Sequence, residues 1–440
     1  MVNICLYFHV HQPYRMSKYT VFNVGNHSQY FDEHKNVEIL RKVANKCYIP
    51  ANTLMLELIN KYKNSEKQFK ISYSITGTIL EQFEKYAPEV LESFKKLAET
   101  GCVDFVGETY YHSLAFLYSK DEFKDQVVMH KNKLKELFNF DPVVFRNTEL
   151  IYNNDLGKFV KELGFKAVLT EGADHILAWR NPNYVHNVKD SDIKLLLKNY
   201  KLSDDIAFRF GNSAWEEYPL TVSKYLDWIK SSDGHSVNLF MDYETFGEHQ
   251  WADTGIFEFM KHLPEEVLKL EGTNFVTVSE LANYESKGEL DVEHFISWAD
   301  IERDLSAWKG NDMQDSALSE LYSIEKSIKQ TNDTTLLSDW RKLTTSDHFY
   351  YMCTKYFNDG DVHKYFNPYD SPYESYINFM NILNDVVIRI NKINSKNSVS
   401  SMNLSNETTI VSDDKRNFLT NNLNPSKNTS NLLTVNTLIK

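Results

Sequence analysis

The chain has 440 residues, 42% of them hydrophobic and 25% charged, the balance of a soluble globular protein with material for a large core. Its formal net charge of -13, with no basic cluster to offset it, excludes a nucleic-acid or anionic-membrane surface and leaves a neutral or cationic ligand as the expectation. The length is too great for one small domain and suits a barrel of roughly 250 residues with a further module.

Asn3–His9 is a buried-strand candidate that runs into Val10-His11-Gln12-Pro13, where proline ends the ladder. His9 and His11 are two apart and share a face at the strand end, a pattern that fits metal ligands, ligand-binding donors or hydrogen-bonded core groups alike. Val37–Tyr62 has helical spacing interrupted at Pro50, and Phe69–Ile75 is the second strand. Helices over Thr78–Tyr86 and Pro88–Glu99 precede a third strand, Cys102–Val106, which closes in Gly107-Glu108 and His112. Asp121–Phe138 is an amphipathic helix, and the strand Pro142–Phe145 ends in Arg146-Asn147-Thr148-Glu149. Asp155–Leu163 is helical, and Lys166–Leu169 is a strand ending at Glu171-Gly172. Lys194–Leu197 and Ile206–Phe210 are shorter strand candidates, and Val222–Ser231 is a helix. The apolar run Val237–Met241 then meets Asp242, Glu244, Glu248 and His249, before a helix over Ile256–Leu270 and a last strand over Asn274–Val278.

This alternation implies an α/β fold with a parallel sheet and helices outside it. Polar groups collect at the C-terminal ends of strands, including non-neighbouring ones, which a closed or nearly closed barrel brings together. An open doubly wound sheet calls for a glycine-rich phosphate loop after the first strand, and His9-Val10-His11-Gln12-Pro13 is not one. Beyond Phe295 helical spacing dominates, with candidates over Leu318–Lys329, Leu336–Phe357 and Pro372–Ile393. Residues 395–440 are rich in Asn, Ser and Thr and read as a disordered tail. The four cysteines, Cys5, Cys47, Cys102 and Cys353, show no Cys-x-x-Cys spacing, so a zinc site or disulfide framework is not indicated. Cysteines expected to be reduced, no sign of a secretory leader ahead of Asn3, and apolar runs well short of the ~18 residues of a membrane span make a cytoplasmic protein the expectation.

The strand-end candidates are His9, His11, Glu108, His112, Arg146, Glu149, Asp242, Glu244 and His249. The set is rich in carboxylates and comes without a Gly-x-Ser-x-Gly nucleophile motif, which points away from a serine or cysteine triad. Two reaction classes fit: glycoside cleavage by a pair of carboxyls, and metal-assisted hydrolysis through His and Asp ligands. Plentiful carboxyls and aromatics favour a sugar site, with Trp251, Trp298 and Trp308 as candidate stacking surfaces. No His-x-x-x-His or other tight ligand pair supports the metal reading.

Five stretches, in order, resemble the motif regions of glycoside hydrolase family 57. They are His9-Val10-His11-Gln12-Pro13; Gly101-Cys102-Val103-Asp104-Phe105 with Gly107-Glu108; Phe145-Arg146-Asn147-Thr148-Glu149; Met241-Asp242-Tyr243-Glu244-Thr245-Phe246-Gly247; and Ala299 to Gly310. The likeness covers roughly residues 1–395 and is greatest to the family's α-amylase branch. It implies action on α-1,4-glucans with retention of configuration, on an incomplete seven-stranded (β/α) barrel followed by a helical domain. It further implies a catalytic domain over 1–290, a helical domain over 291–394 that contributes to the cleft, and no cofactor or metal. Glu149 matches the nucleophile and Asp242 the general acid/base. His9, His11, Glu108, Arg146, Glu244, Asp304 and Trp308 form the implied substrate-binding set, while Asp104 stands where many members have Glu. The same carboxyl pair serves 4-α-glucanotransferases and branching enzymes, and a metal-dependent carbohydrate deacetylase is the alternative from another class. Oligomeric state is not legible.

Overall fold

A computed structural model describes residues 2–355 and 367–417, with side chains through 396. Among the described residues there are nine strands: β1 (Asn3–Val10), β2 (Ile71–Ile75), β3 (Val103–Phe105), β4 (Val144–Arg146), β5 (Ala167–Glu171), β6 (His186–Val188), β7 (Lys194–Lys198), β8 (Ser236–Asp242) and β9 (Glu289–Leu290). They form a four-stranded sheet, β3-β2-β1-β8, and a five-stranded sheet, β4-β5-β7-β6-β9. All pairings are parallel except β6 with β7. A parallel bridge between Gly107 and Phe145 joins β3 to β4. At the other end, the Asn199 amide donates to the Asn238 carbonyl (2.9 Å) and Asn238 Nδ2 donates to the Leu197 carbonyl (2.9 Å), so β7 lies beside β8.

Two-residue periodicity divides the strands into faces with different tasks. Ile4, Leu6, Phe8, Val237, Leu239 and Met241 pack outward against the surrounding helices. Cys5, Tyr7, Val106, Val144, Ala167, Leu169, Leu196 and Phe240 form a separate inner core. Continuing that inner parity to the C-terminal strand ends gives His9, Glu108, Arg146, Glu171, Lys198 and Asp242. The apolar inner stack is thus topped by ionisable groups, which is how the strands position a site. Register puts His9 level with Asp242 on one side and Ser74 on the other.

Several expected elements differ. Ile206–Phe210 is no strand: helix Tyr200–Asp204 continues into a π-helical turn, Asp205–Arg209. Arg209 Nε donates to Asp205 Oδ1 at 2.6 Å, and Gln250 Nε2 to the Ala207 carbonyl at 2.9 Å, so local contacts override aromatic β-propensity. Asn274–Val278 contributes a single bridge, Phe275 to Ile4, before the helical turn Val278–Leu281. The helix expected over Leu336–Phe357 is broken into Thr334–Leu343 and Ser346–Tyr350. The two helices expected about Pro50 are Glu33–Val43 and Ile49–Tyr62, joined by a π-helical turn, Ala44–Tyr48, with Pro50 in the first turn of the second.

Residues 1–386 fall in one compact unit and residues from 387 in a second. The helix from Pro372 runs to Asn417, past the tail boundary expected at 395. Its polar stretch contains neither Gly nor Pro to stop it. The expected tail over 418–440 lies outside the described residues. Among the described residues, no helix is long and apolar enough to cross a membrane.

Candidate active site

A cleft of about 1250 Å³ opens at the C-terminal strand ends. Glu149 enters it from the turn Thr148–Leu150 that follows β4, with the left-handed φ of 57°. A non-glycine residue there is strained by ~1 kcal/mol or more. The turn is held by the Leu150 amide on the Asn147 carbonyl (3.0 Å) and by the Trp298 amide on the carbonyl of Glu149 itself (3.1 Å). Its carboxylate is engaged at both oxygens. His112 Nε2 lies 2.9 Å from Oε1, Trp298 Nε1 donates to Oε2 at 2.7 Å, and Ser346 Oγ donates to Oε1 at 3.4 Å. Burial pushes this carboxyl up, but the hydrogen bond and charge of His112, with Arg146, outweigh it and hold Glu149 below its ordinary value. It is therefore ionised, and its side chain remains 20% exposed to the cleft.

Asp242 ends β8 and faces the same cleft. Burial first, and the charge on Glu149 second, push its pKa up to about 6, against Arg146, Lys198 and His112. Two residues on, Glu244 is buried, accepts a hydrogen bond from the Tyr48 hydroxyl, and is pushed up to about 8 by burial and by Asp242. Tyr48 reaches it from a π-helical turn, Ala44–Tyr48. The loop after Glu244 is fixed by Gly247, whose φ is +110° and where a Cβ would lie 2.0 Å from the Lys46 carbonyl. Glu248 beside it is buried on Lys42 Nζ (2.7 Å) and Lys46 Nζ (3.7 Å).

Behind Glu149 lies an ionic network. His112 Nδ1 is 3.5 Å from Glu108 Oε2, and Arg146 Nη1 is 3.8 Å from the same oxygen. Although burial works against it, hydrogen bonds to Glu108 and Glu149 raise His112 to about 9, so the ring is cationic. His11 Nδ1 bonds to the Thr76 hydroxyl (2.8 Å), the side chain that caps helix Gly77–Tyr86, while Nε2 meets Asp347 Oδ2 at 3.1 Å. Despite burial, the His11 charge and hydrogen bond hold Asp347 well below the usual carboxylate range. Two groupings, His9-Glu108-His112 and His11-His112-Asp347, bring donor atoms within 4.8 Å. Neither suits a metal ion. His112 turns Nε2 to Glu149 and Nδ1 to Glu108 and to the Arg146 guanidinium, whose Nη1 is 3.4 Å away, and His11 spends both nitrogens on Thr76 and Asp347.

Of the expected residues, Glu149, Asp242, His9, His11, Glu244 and Trp308 line the cleft. Glu108 and Arg146, expected at the substrate, are fully buried beneath it, because the inner parity places them one level below the turn that raises Glu149. Asp304 does not line the cleft, since its Oδ1 accepts from the Ser306 amide at 2.8 Å in a local turn. Asp104 lies at the far end of the sheet, where Oδ2 accepts from the Ser279 amide at 2.8 Å. Trp298 lines the cleft as expected of a stacking surface and also donates to the nucleophile candidate; Trp251 stays outside, half-exposed under Lys46. Asp347 and Lys198 were not singled out from the sequence. Asp347 is signalled only by Thr344-Thr345-Ser346, a cap-like run that breaks the helix before it, and Lys198 only by strand parity.

The glycosyl hydrolase family 57 model matches residues 5–297, well over half of the chain. The chain belongs to this family. It is 47% identical over 392 residues to a putative α-amylase of Methanocaldococcus jannaschii, covering 86% of this chain and 82% of that one. Among solved structures, a family 57 branching enzyme from Pyrococcus horikoshii superposes with a TM-score of 0.58 at 14% identity, covering 80% of this chain and 85% of that one. A 4-α-glucanotransferase from Thermococcus litoralis gives 0.53 at 18% identity over 83% of this chain and 54% of its own. These two likenesses speak to the fold.

Proposed function

We propose that this family 57 glycoside hydrolase acts on α-1,4-glucans with retention of configuration, in the manner of an α-amylase. The observation that carries the reading is the pair of unlike carboxyls in one cleft, Glu149 held ionised and Asp242 inclined to hold its proton. Retention needs a nucleophile and an acid whose environments push their pKa values apart. Glu149 attacks the anomeric carbon while Asp242 protonates the departing glycosidic oxygen, giving a covalent glycosyl-enzyme. Asp242, now ionised, takes a proton from water, which opens the ester and restores the anomeric configuration. A sugar hydroxyl in place of water gives transfer from the same intermediate, and product analysis separates the two.

His9, His11, Glu244 and Trp308 bind the sugar. Glu244, neutral below about pH 8, donates a hydrogen bond that an ionised carboxylate lacks. In this reading the sheets form an incomplete barrel of parallel strands, β8-β1-β2-β3 from one sheet and β4-β5-β7 from the other, with 1–290 as catalytic domain and 291–394 supplying Trp298, Trp308 and Asp347 to the cleft. The buried, unpaired cysteines fit a cytoplasmic protein. The test is mass spectrometry of intact protein after incubation with a slow fluorinated α-glucosyl donor, wild type beside Glu149→Gln. A glycosyl adduct on the wild type alone supports the reading; starch cleavage without any adduct overturns it.

A further inference from the structure

We propose that Glu108 is a positioning residue for the nucleophile, acting through His112, whose ring it holds as the donor to Glu149. The inference rests on the reading of Glu149 as nucleophile. Glu108 has no exposed surface and does not line the cleft, so it touches no sugar. Its oxygens face nitrogens alone among the ion-pair partners: His112 Nδ1 at 3.5 Å, Arg146 Nη1 at 3.8 Å and His9 Nδ1 at 4.0 Å. Its own backbone amide is fixed on His130 Nδ1 (3.1 Å), and His130 Nε2 is in turn tied to the Ile75 carbonyl (2.8 Å). Glu108, His112 and Glu149 thus form a line, carboxylate, imidazole, carboxylate, whose last two members reach the cleft while Glu108 does not.

The line solves a problem of tautomer and charge. A neutral imidazole places its one proton on either nitrogen, and only Nε2–H stabilises an ionised Glu149. Arg146 Nη1 lies 3.4 Å from Nδ1 and, as a donor only, favours a bare nitrogen there; the Glu108 carboxylate at 3.5 Å favours a proton instead and so makes the ring a donor at both ends. The rings of His9 and His11 lie with centroids 4.9 and 4.2 Å from that of His112, while burial and Arg146 disfavour a further positive charge. Asp347 and Asp242 face the network from the helix Ser346–Tyr350 and from β8 and favour it. Glu149 loses its charge when it becomes an ester, and from then on Glu108 is the carboxylate in contact that keeps the ring protonated. Without Glu108 the ring sheds its proton in the middle of the cycle.

Glu108→Gln keeps the size and an oxygen for Nδ1–H while deleting the charge. We expect kcat to fall by about tenfold to a hundredfold, the scale of a lost hydrogen bond to a charged group, with KM within about twofold. Nitrogen-15 NMR of labelled histidine gives the readout that a structural role does not move. His112 is cationic at pH 8 in the wild type and neutral there in Glu108→Gln, and Glu108→Asp restores part of both signals. Glycosyl trapping on Glu149 is run alongside, so failure of the nucleophile assignment is seen separately. A raised KM with intact kcat assigns Glu108 to substrate contact and overturns the proposal, as does an unchanged His112 titration. If Glu108→Gln does not fold, the wild-type titration decides alone, and a neutral His112 at pH 7 overturns it.

Discussion

Asp242→Asn removes the proton donor at the end of β8 while keeping its size, and its consequences follow from the surroundings of the carboxyl. Burial and the charge on Glu149 raise Asp242 from 3.8 to about 6. That rise corresponds to about 3 kcal/mol of differential stabilisation of the protonated form. At pH 6 about half of the enzyme carries the proton, roughly eightyfold more than for an aspartate of ordinary pKa. The assay compares kcat/KM from pH 4 to 9 on maltohexaose and on α-maltotriosyl fluoride, whose leaving group departs without a proton. The wild type loses activity on maltohexaose above about pH 6, by about tenfold per pH unit, while the fluoride profile stays flat across that range. Asp242→Asn costs about a hundredfold to ten-thousandfold on maltohexaose and abolishes the limb, yet leaves the first step on the fluoride within about tenfold. The same alkaline limb for both substrates, or a limb that survives in Asp242→Asn, refutes the assignment.

Trp298→Phe deletes the indole donor on Glu149 Oε2, so kcat falls by about tenfold or more and the acidic limb of the pH profile moves up as Glu149 becomes easier to protonate. Gly247→Ala forces a Cβ against the Lys46 carbonyl at a φ of +110°, and urea titration records a loss of about 2 kcal/mol or more. His112 is raised from 6.5 in the unfolded chain to about 9 in the folded one. Its contribution to stability is therefore full below pH 6.5 and is lost as pH rises through 9, a fall of up to about 3 kcal/mol that denaturant titrations at either end of the window detect and that His112→Gln removes. Dialysis against EDTA leaves kcat unchanged, because His11 and His112 already turn their nitrogens to Thr76, Asp347, Arg146 and the two glutamates.

What the sequence discloses here depends on period and parity. Buried strands that end in polar residues are visible as runs such as Asn3–His9 and Val237–Asp242, and both carry their charged ends to the cleft. Depth is not visible. Arg146 and Glu149 lie three apart on one strand end, yet the left-handed turn at Glu149 raises one into the cleft and leaves the other beneath it. Glu108 likewise reads as a ligand group and lies fully buried beneath the cleft. Asp347 escapes because helical spacing runs unbroken through Leu336–Phe357, and the break at Thr344 and Thr345 is a tertiary effect: the Ser346 amide bonds to the His112 carbonyl (2.9 Å) and Thr345 Oγ1 to that of Tyr111 (2.9 Å). The aromatic run Ile206–Phe210 misleads for the converse reason, its strand-like composition being spent on the wall of the cleft through Ala207 and Phe208.

The buried charges explain how one site tolerates both halves of a double displacement. In the proposed mechanism, Glu108 and Glu149 are ionised against His112 and Arg146 before attack, a neutral set, and burial and the charge on Glu149 favour the proton on Asp242 against Lys198. After attack, Glu149 is an uncharged ester and Asp242 has given its proton to the leaving oxygen. Glu108 and Asp242 now balance the same two cations. Removing the charge on Glu149 removes the second-largest cause of the raised pKa of Asp242, so the group that was an acid becomes a base without any residue moving. The net charge of these five groups is zero in both states, so the step between them creates no net charge among them. A substitution that keeps each side chain's shape but alters the count, such as Arg146→Met, therefore slows glycosylation and deglycosylation alike, whereas Trp298→Phe, which alters a donor and no charge, bears mainly on the step in which Glu149 must be ionised.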